Sequence, residues 1–216
     1  MTGERRTARE VFDDWARDHH ADGMERHHWP RVAIAFEEIE PSTGNYLEVG
    51  VGNGYGIRRM AEGPFARGRC RGVELSPEMT ARARAKTADL DRVTIDRADF
   101  LEWSPPEAER YALIFSMEVF YYFAEIQRGI ERAVDLLAPD GLLLVLVNFY
   151  EEHRASHGWP RDLDTPMQLW SAANYRDGFE AAGLVDVRQR RLRDGAAEPG
   201  DPGTLATCGR RRDDAS

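Results

Sequence analysis

The fold of this chain is encoded most clearly in the stretch Tyr46-Leu-Glu-Val-Gly-Val-Gly-Asn-Gly-Tyr-Gly56. Residues 46–49 have the pattern of a short buried strand, and the following loop carries glycine at positions 50, 52, 54 and 56. Glycine lets a backbone turn tightly and approach a ligand that a β-carbon would push away. Between a strand and the N-terminus of a helix, such a loop is typical of a nucleotide-type cofactor site.

The spacing of these glycines argues against a dinucleotide-binding loop. The motif G-x-G-x-x-G needs its third glycine three residues after the second. Counted from Gly50 and Gly52, that position holds Tyr55; counted from Gly52 and Gly54, it holds Ile57. A nicotinamide-dependent oxidoreductase is therefore disfavoured.

Length and composition favour one large folded domain. The chain has 216 residues, 42% of them hydrophobic, and five tryptophans, which is enough to bury a sizeable core. Its net charge of −9 disfavours a nucleic-acid or anionic-membrane partner. The N-terminal residues lack the apolar region of a signal peptide and no apolar run approaches the length of a membrane span, so we expect a cytoplasmic protein.

Strand and helix patterns alternate along the chain, which predicts a parallel sheet covered on both faces. A first helix is predicted over 10–17, a break over 21–29, and a second helix that begins at Pro30. Strands are predicted at 46–49, 70–75, 92–97, 111–116, 142–147, 185–189 and 204–209. Helices are predicted at 55–61, 77–87 and 126–137, and a further helix is capped by Ser171. The last two strands are joined by a loop too short for a helix and should form an antiparallel hairpin.

An acidic residue two places before G-x-G-x-G resembles motif I of the class I S-adenosylmethionine (SAM) methyltransferases. The resemblance covers about residues 45–209. It implies a doubly wound α/β domain of seven strands in the order 3-2-1-4-5-7-6, with strand seven antiparallel. Residues 45–216 would form the SAM-binding domain, and residues 1–44 an N-terminal helical cap or lid. Strands two and seven are not neighbours in this order, so Cys70 and Cys208 should not be bonded to each other.

The resemblance also implies a set of cofactor contacts at the carboxyl ends of the strands. Glu48 would position the ammonium group of SAM, and the glycines with Asn53 would pass under its methionyl and ribose part. Glu74 lies where an acid accepts from both ribose hydroxyls, although an acid before a helix also favours the helix dipole. The full predicted set is Glu48, Gly50, Gly52, Asn53, Gly54, Glu74, Leu75, Asp99, Phe100, Ser116 and Met117.

Two acidic residues compete for the adenine amino group after strand three. Asp99 follows the strand and is preferred, whereas Asp96 falls within it. After strand four the chain lacks the Asn/Asp-Pro-Pro-aromatic corner of nucleic-acid amino methyltransferases, which argues against DNA base methylation. Glu118 and Glu125 lack the spacing pattern of protein arginine methyltransferases, so Glu118 is expected to be a helix N-terminal acid.

Methyl transfer from a sulfonium is an in-line displacement, in which the enzyme aligns and desolvates the acceptor. We expect a small-molecule acceptor, and the segment 23–29 could fold over the cleft. The candidate acceptor-binding residues are His28, Trp29, Tyr121, Tyr122, Tyr150 and His153. Equally, Trp29 could join its helix to the sheet while the histidines stay exposed.

No metal is expected, because the histidines lack an accompanying set of cysteines or carboxylates with ligand spacing. The alternative function is a SAM- or nucleotide-binding protein without transferase activity. The sequence does not indicate the atom that receives the methyl group, a catalytic base or an oligomeric state.

Overall fold

A computed structural model describes residues 5–18, 20–195 and 200–213 of the chain. Within these residues seven strands form one sheet in the order β3-β2-β1-β4-β5-β7-β6. The strands are β1 Tyr46–Val49, β2 Cys70–Glu74, β3 Val93–Arg97, β4 Tyr111–Met117, β5 Leu137–Val147, β6 Leu184–Leu192 and β7 Thr204–Arg211. The first five strands pair in parallel, and β7 runs antiparallel to both β5 and β6. The predicted topology is confirmed.

Helices cover both faces of this sheet. They are α1 Ala8–Arg17, α2 His20–Phe36, α3 Tyr55–Glu62, α4 Pro77–Lys86, α5 Ile126–Leu136, α6 Trp159–Asp162 and α7 Ala172–Ala181, with 3-10 turns at Pro106–Ala108, Phe120–Tyr122 and Arg154–Gly158. One core cluster joins the sheet to α5 and α7 through Ile130 and Phe179. The other joins it to α2, α3 and α4 through residues such as Val32, Met60 and Ala83. Apolar burial on both faces is what a doubly wound sheet requires.

Local sequence signals set the ends of several helices. Ser76 caps α4 by accepting from the Met79 N–H at 3.1 Å, and Pro77 occupies the first turn. Ser171 and Asn174 form a capping box at α7, as the sequence predicts for Ser171. In β5, residues 138–141 form an irregular stretch in the pairing with β4, where Asp140 takes a left-handed φ of 58°.

The predicted break over 21–29 was wrong. Helix α2 runs from His20 through Pro30 to Phe36 without interruption. Proline removes one backbone hydrogen bond inside a helix, but Pro30 lies on the exposed side, where water can reach the carbonyl that loses its partner. Burial of Ala21 at one end and of Val32 at the other fixes the helix against the protein. Tertiary packing thus overrides a local breaking signal.

Helices α1 and α2 form a cap that is bound to the rest of the chain in two ways. Phe36 packs edge-on against Phe115 of β4, with 4.8 Å between ring centroids, so the end of α2 belongs to the core of the sheet. The rest of the cap is bound to α4 by an apolar cluster around Met79 and by polar contacts. Arg82 reaches Asp22 at 2.6 Å, and Arg17 reaches Glu78 at 3.2 Å. The predicted division at residues 44 and 45 remains a prediction.

Some predicted features fall outside the described residues: positions 1–4 and 19 of the cap, 196–199 of the loop before β7, and 214–216 of the predicted domain. Cys70 and Cys208 are both free thiols, as the strand order predicts. No helix in the described part of the chain has the length and apolar composition needed to cross a membrane.

Candidate cofactor and acceptor site

A cavity of about 500 Å³ lies at the carboxyl ends of β1, β2, β3 and β4, beneath the cap. The sheet side of its wall is formed by Val49, Gly50, Gly52, Val73, Glu74, Leu75, Ala98, Asp99, Phe100, Leu101, Met117, Glu118, Val119, Tyr121, Tyr122, Phe123 and Ala124. The opposite side is formed by Ala8, Phe12, Trp15, Met24, His28, Trp159, Asp162 and Leu163. Open α/β sheets bind ligands at this edge. Where the strand order reverses, the loops after two neighbouring strands run in opposite directions and leave a crevice between them.

The glycine loop after β1 has backbone angles that other residues rarely adopt. Gly50, Gly52 and Gly54 have φ values of 70°, 53° and 86°. A β-carbon at Gly52 would lie 2.9 Å from the Met24 Cε, and one at Gly54 would lie 2.8 Å from the Ala83 Cα. Gly50 and Gly52 line the cavity, whereas Gly54 begins α3 and packs on α4. The first two glycines therefore shape the site, and the third allows close helix packing.

Glu74, at the end of β2, holds this loop and also lines the cavity. Its Oε2 accepts the Gly52 N–H at 2.8 Å, and its Oε1 accepts the Ser76 N–H at 2.9 Å. Burial raises the pKa of Glu74, and these backbone N–H groups partly offset the shift. Each carboxylate oxygen keeps a second lone pair that can accept from a ligand hydroxyl.

The structure separates the two acids near β3. Asp99 lines the cavity, and its Oδ1 accepts the Leu101 N–H at 2.9 Å. Asp96 instead accepts from Arg71 at 2.9 Å and from the Trp103 indole at 3.1 Å. Its carboxylate is thus engaged away from the cavity, which is consistent with the preference for Asp99.

Three further predicted cofactor residues, Leu75, Phe100 and Met117, also line the cavity. Leu75 leaves 41% of its surface exposed, which is unusual for leucine beside a fully formed core. An exposed apolar side chain at the rim of a cavity is suited to cover one face of a planar ligand.

Besides Gly54, three predicted cofactor residues are not part of the cavity lining. Glu48 accepts from the Tyr46 hydroxyl at 2.8 Å, and burial raises its pKa to about 8. Ser116 donates to the Val49 carbonyl at 2.9 Å and so joins β4 to β1. Asn53 donates its amide to the Ala21 carbonyl at 2.5 Å and so holds the cap on the loop. A direct cofactor contact by any of the three stays a prediction.

The predicted acceptor residues divide into two groups. His28, Tyr121 and Tyr122 line the cavity. Burial lowers the pKa of His28 to about 4, so its imidazole is neutral at physiological pH. The placement of the other three does not support acceptor binding. Trp29 packs edge-on against Phe36 beneath the Arg59 guanidinium. The Tyr150 hydroxyl donates to Gly203 at 2.8 Å, and the His153 ring is hydrogen-bonded to Asn148 at 2.7 Å.

Several cavity residues were not predicted from the sequence: Phe12, Trp15, Met24, Glu118, Val119, Phe123, Trp159, Asp162 and Leu163. Most stand on the cap or in the irregular segment after β5, where only folding reveals the contact. Glu118 alone had a usable signal, because it directly follows β4 at the ligand-binding edge.

Glu118 does not serve as the helix N-terminal acid that was expected. The N-cap of α5 is Glu125. The Glu118 carboxylate instead accepts the Asn148 N–H and, at 3.0 Å, the Tyr121 hydroxyl. Burial raises its pKa to about 7.

Among the described residues, no group of three or more His, Cys, Asp or Glu side chains is arranged to hold a metal ion.

Comparisons with known proteins match this geometry. Residues 17–189 match the family described as Methyltransferase domain. The chain therefore belongs to the class I SAM-dependent methyltransferases, and its cofactor is SAM.

Three solved structures of methyltransferases are similar to this chain. A protein assigned as a methyltransferase, from the complex with the Haloferax volcanii Trm112 methyltransferase activator, is 30% identical. It superposes with a TM-score of 0.85 over 97% of this chain and 100% of its own. An O-methyltransferase family protein from Burkholderia thailandensis is 20% identical, with a TM-score of 0.72 over 96% of this chain and 64% of its own. The N-methyltransferase NodS from Bradyrhizobium japonicum, bound to S-adenosylhomocysteine (SAH), is 18% identical, with a TM-score of 0.63 over 86% of each chain. The last two share the fold. A search of curated protein sequences gives no significant match.

Proposed function

We propose that this chain transfers the methyl group of SAM to a small-molecule acceptor by in-line displacement. The observation that carries the proposal is the closure of the cleft by the cap. Phe12, Trp15, Met24 and His28 of the cap line the same cavity as the glycine loop, so that cofactor and acceptor would share one cavity of about 500 Å³. A cavity of this size suits a small molecule.

The residues at the strand ends fit SAM. Glu74 would accept from the ribose hydroxyls, and Asp99 from the adenine amino group. Leu75 and Phe100 would cover the adenine ring, while the backbone at Gly52 would allow close approach of the ligand. When bound, SAM supplies an electrophilic methyl group on its sulfonium. The chain's own contribution is to orient the two reactants and exclude water, which can account for a large part of the rate of such a transfer.

Isothermal titration calorimetry with SAM, SAH and NAD tests the cofactor side. We expect binding of SAM and SAH and none of NAD, and failure to bind either sulfur compound would refute the proposal. Turnover of SAM with a panel of candidate acceptors, followed as SAH release by mass spectrometry, tests transfer. A protein that binds SAM but methylates nothing in any panel would support the alternative of a binding protein without transferase activity.

We also propose a protein partner related to the Trm112 activator. The support is the 30% identity over nearly the whole of both chains with a protein solved in complex with that activator. Co-expression of this chain with a Trm112 protein, followed by size-exclusion chromatography, should give one co-eluting complex. Separate elution, together with unchanged SAM affinity on mixing, would exclude this partner.

A further inference from the structure

The part of the cavity beyond the predicted cofactor residues is aromatic and contains acidic groups. Phe12 and Trp15 of α1, Tyr122 and Trp159 form apolar walls, and Glu118 and Asp162 supply carboxylates. No lysine or arginine is among the described residues that line the cavity. His28 is there, but its lowered pKa of about 4 keeps it neutral. Aromatic faces and carboxylates both attract cations, whereas such a lining offers little to an anion.

Glu118 is held at this place by its backbone and by two hydrogen bonds. Its φ of 61° lies in the left-handed region, which a non-glycine residue seldom adopts and which is frequent at functional sites. The Asn148 N–H donates to Oε1 and the Tyr121 hydroxyl donates to Oε2. Each oxygen retains a lone pair for a further donor. The carboxylate is therefore fixed in position but still able to accept from a ligand.

We propose that the acceptor is an amine with an apolar or aromatic body, and that Glu118 receives the proton of its ammonium group. This inference rests on the proposed methyltransferase function. The ammonium first transfers one proton to the Glu118 carboxylate, which leaves a neutral amine and a carboxylic acid. The nitrogen lone pair then forms a bond to the methyl carbon as the carbon–sulfur bond breaks. The electrons of that bond remain on sulfur, so SAH is neutral and the product is a methylated ammonium.

The charge changes in this step favour nitrogen over oxygen as the acceptor. Amine methylation builds positive charge on the nitrogen, which a carboxylate and aromatic faces stabilise. Methylation of a phenol or alcohol needs negative charge on oxygen before the transfer. A cation is the usual stabiliser of such a charge, and the described lining contains no lysine or arginine, while its one histidine is neutral.

The surroundings of Glu118 are compatible with a proton-accepting role. Burial raises its pKa to about 7, while the Asn148 and Tyr121 hydrogen bonds and the charge of Arg31 limit the shift. Arg31 stands outside the cavity lining, 3.4 Å from Asp194. A group acts best as a base when its pKa lies near the working pH.

Matched ligand pairs test the substrate class without turnover. Protein loaded with SAH is titrated with benzylamine and benzyl alcohol, with 2-phenylethylamine and 2-phenylethanol, and with tryptamine and tryptophol. We expect at least one amine to bind roughly tenfold or more tightly than its alcohol. Equal or tighter binding of every alcohol, or no binding by any member, would overturn the inference. If SAH itself does not bind, the proposed function fails instead.

A variant pair tests the role of Glu118. With SAM and the tightest-binding amine, Glu118→Gln should lower kcat/KM by about 10²- to 10⁴-fold, while the Kd for SAM stays within roughly threefold. Glu125→Gln is the matched control, because Glu125 is exposed and outside the cavity lining. The deficit of Glu118→Gln should shrink as pH approaches the pKa of the free amine, because the amine then arrives without its proton.

Two results would overturn this role: a pH profile of Glu118→Gln parallel to that of the wild type, or a product methylated on oxygen when tyramine is offered. If Glu118→Gln does not bind SAM, Glu118→Asp provides the second test. This variant keeps the carboxylate and should therefore retain the shape of the wild-type pH profile at a reduced rate. A profile that no longer falls as the carboxylate becomes protonated would count against the inference.

Discussion

The cavity has a part that we propose for the cofactor, the cofactor half, and a part that we propose for the acceptor, the acceptor half, and the two are built by different means. The cofactor half consists of short segments at the carboxyl ends of consecutive parallel strands: the glycine loop after β1, Glu74 as the last residue of β2, and Asp99 just after β3. The acceptor half collects single side chains from α1, α2, the turn after β4 and the segment around α6. One half depends on backbone shape close to each strand, and the other on how distant elements pack.

Because of this difference, the two halves should tolerate different kinds of substitution. The cofactor half depends on backbone angles and main-chain hydrogen bonds, so a single β-carbon or a lost carboxylate should disrupt it. The acceptor half depends on side-chain identity, so its residues can change specificity without altering the fold. The following experiments test that contrast, from the largest expected effect to the smallest.

Gly52→Val should reduce SAM affinity by more than about 100-fold. The backbone at this position has a positive φ that valine disfavours, and the new side chain would also meet Met24 in the cavity. Titration calorimetry with SAM measures the loss. Gly183→Val is the matched control. Gly183 has a φ of 86°, but a β-carbon there meets nothing within 4 Å. The control should lower the melting temperature and leave SAM affinity unchanged. Equal losses of affinity would show that general strain, and not cavity shape, is responsible.

Glu74→Ala should weaken SAM binding by roughly 30- to 100-fold, the effect of losing a charged acceptor for two ligand hydroxyls. The change also removes the acceptor of the Gly52 and Ser76 N–H groups, so some loss of stability should accompany it. Comparison of SAM with its 2′,3′-dideoxyribose analogue separates the two effects. Wild-type affinity for SAM would contradict the assignment.

Glu48 should make the protein less stable as pH rises. Burial raises its pKa to about 8, so between the unfolded pKa and that value the folded state binds more protons. The free energy of unfolding then falls with pH, by on the order of 2 kcal/mol from pH 6 to pH 8. Thermal melts of Glu48→Gln should lack this component, whereas Glu37→Gln, at an exposed position, should keep it. If the melting temperatures of the wild type and of both variants changed in parallel with pH, Glu48 would titrate normally.

Asn53→Ala should loosen the cap and weaken SAM binding by roughly tenfold or less, because the Ala21 carbonyl loses its buried donor. Hydrogen exchange at the first turns of α2 should accelerate. The control is Asn45→Ala. Asn45 directly precedes β1, and its side-chain amide donates to the carbonyl of Arg110, which directly precedes β4. This variant should affect neither measurement. If both variants exchange alike, the other contacts of the cap hold it without the Asn53 hydrogen bond.

The smallest effects should come from the histidines. His28→Gln should raise the KM for the acceptor a few-fold and leave SAM affinity unchanged, because His28 lines the cavity as a neutral ring. His153→Gln should change neither value, because that ring is bound to the Asn148 carbonyl outside the cavity lining. A reversed order would move the acceptor site towards the segment after β5.

The cofactor half was predictable because its signals are local, and the strand order was predictable because those signals resemble the motifs of a known family. Gly50 and Gly52 follow a strand directly, and Glu74 ends the next strand, so each position could be read within a few residues of an apolar run. The prediction failed in the cap, where the residues 21–29 showed no clear pattern. That segment is helical because tertiary packing fixes it, through burial of Ala21 and Val32 and the contact of Ala21 with Asn53 across 32 positions of sequence. Such contacts have no local signature.

The sequence by itself determined the alternation of strands and helices and the glycine loop, because apolar runs and closely spaced glycines express backbone requirements that act over short distances. Through the resemblance of its motifs to a known family, it also indicated the strand order and SAM as the cofactor. Only the tertiary structure decided which side chains line the part of the cavity that is proposed for the acceptor. It brought Phe12, Trp15 and Trp159 over the carboxyl ends of the strands, moved Tyr150 and His153 elsewhere, and left Glu118 buried with two donors. Side chains meet in such a cavity through packing between elements far apart in the chain, and the free energy of that packing belongs to the whole fold.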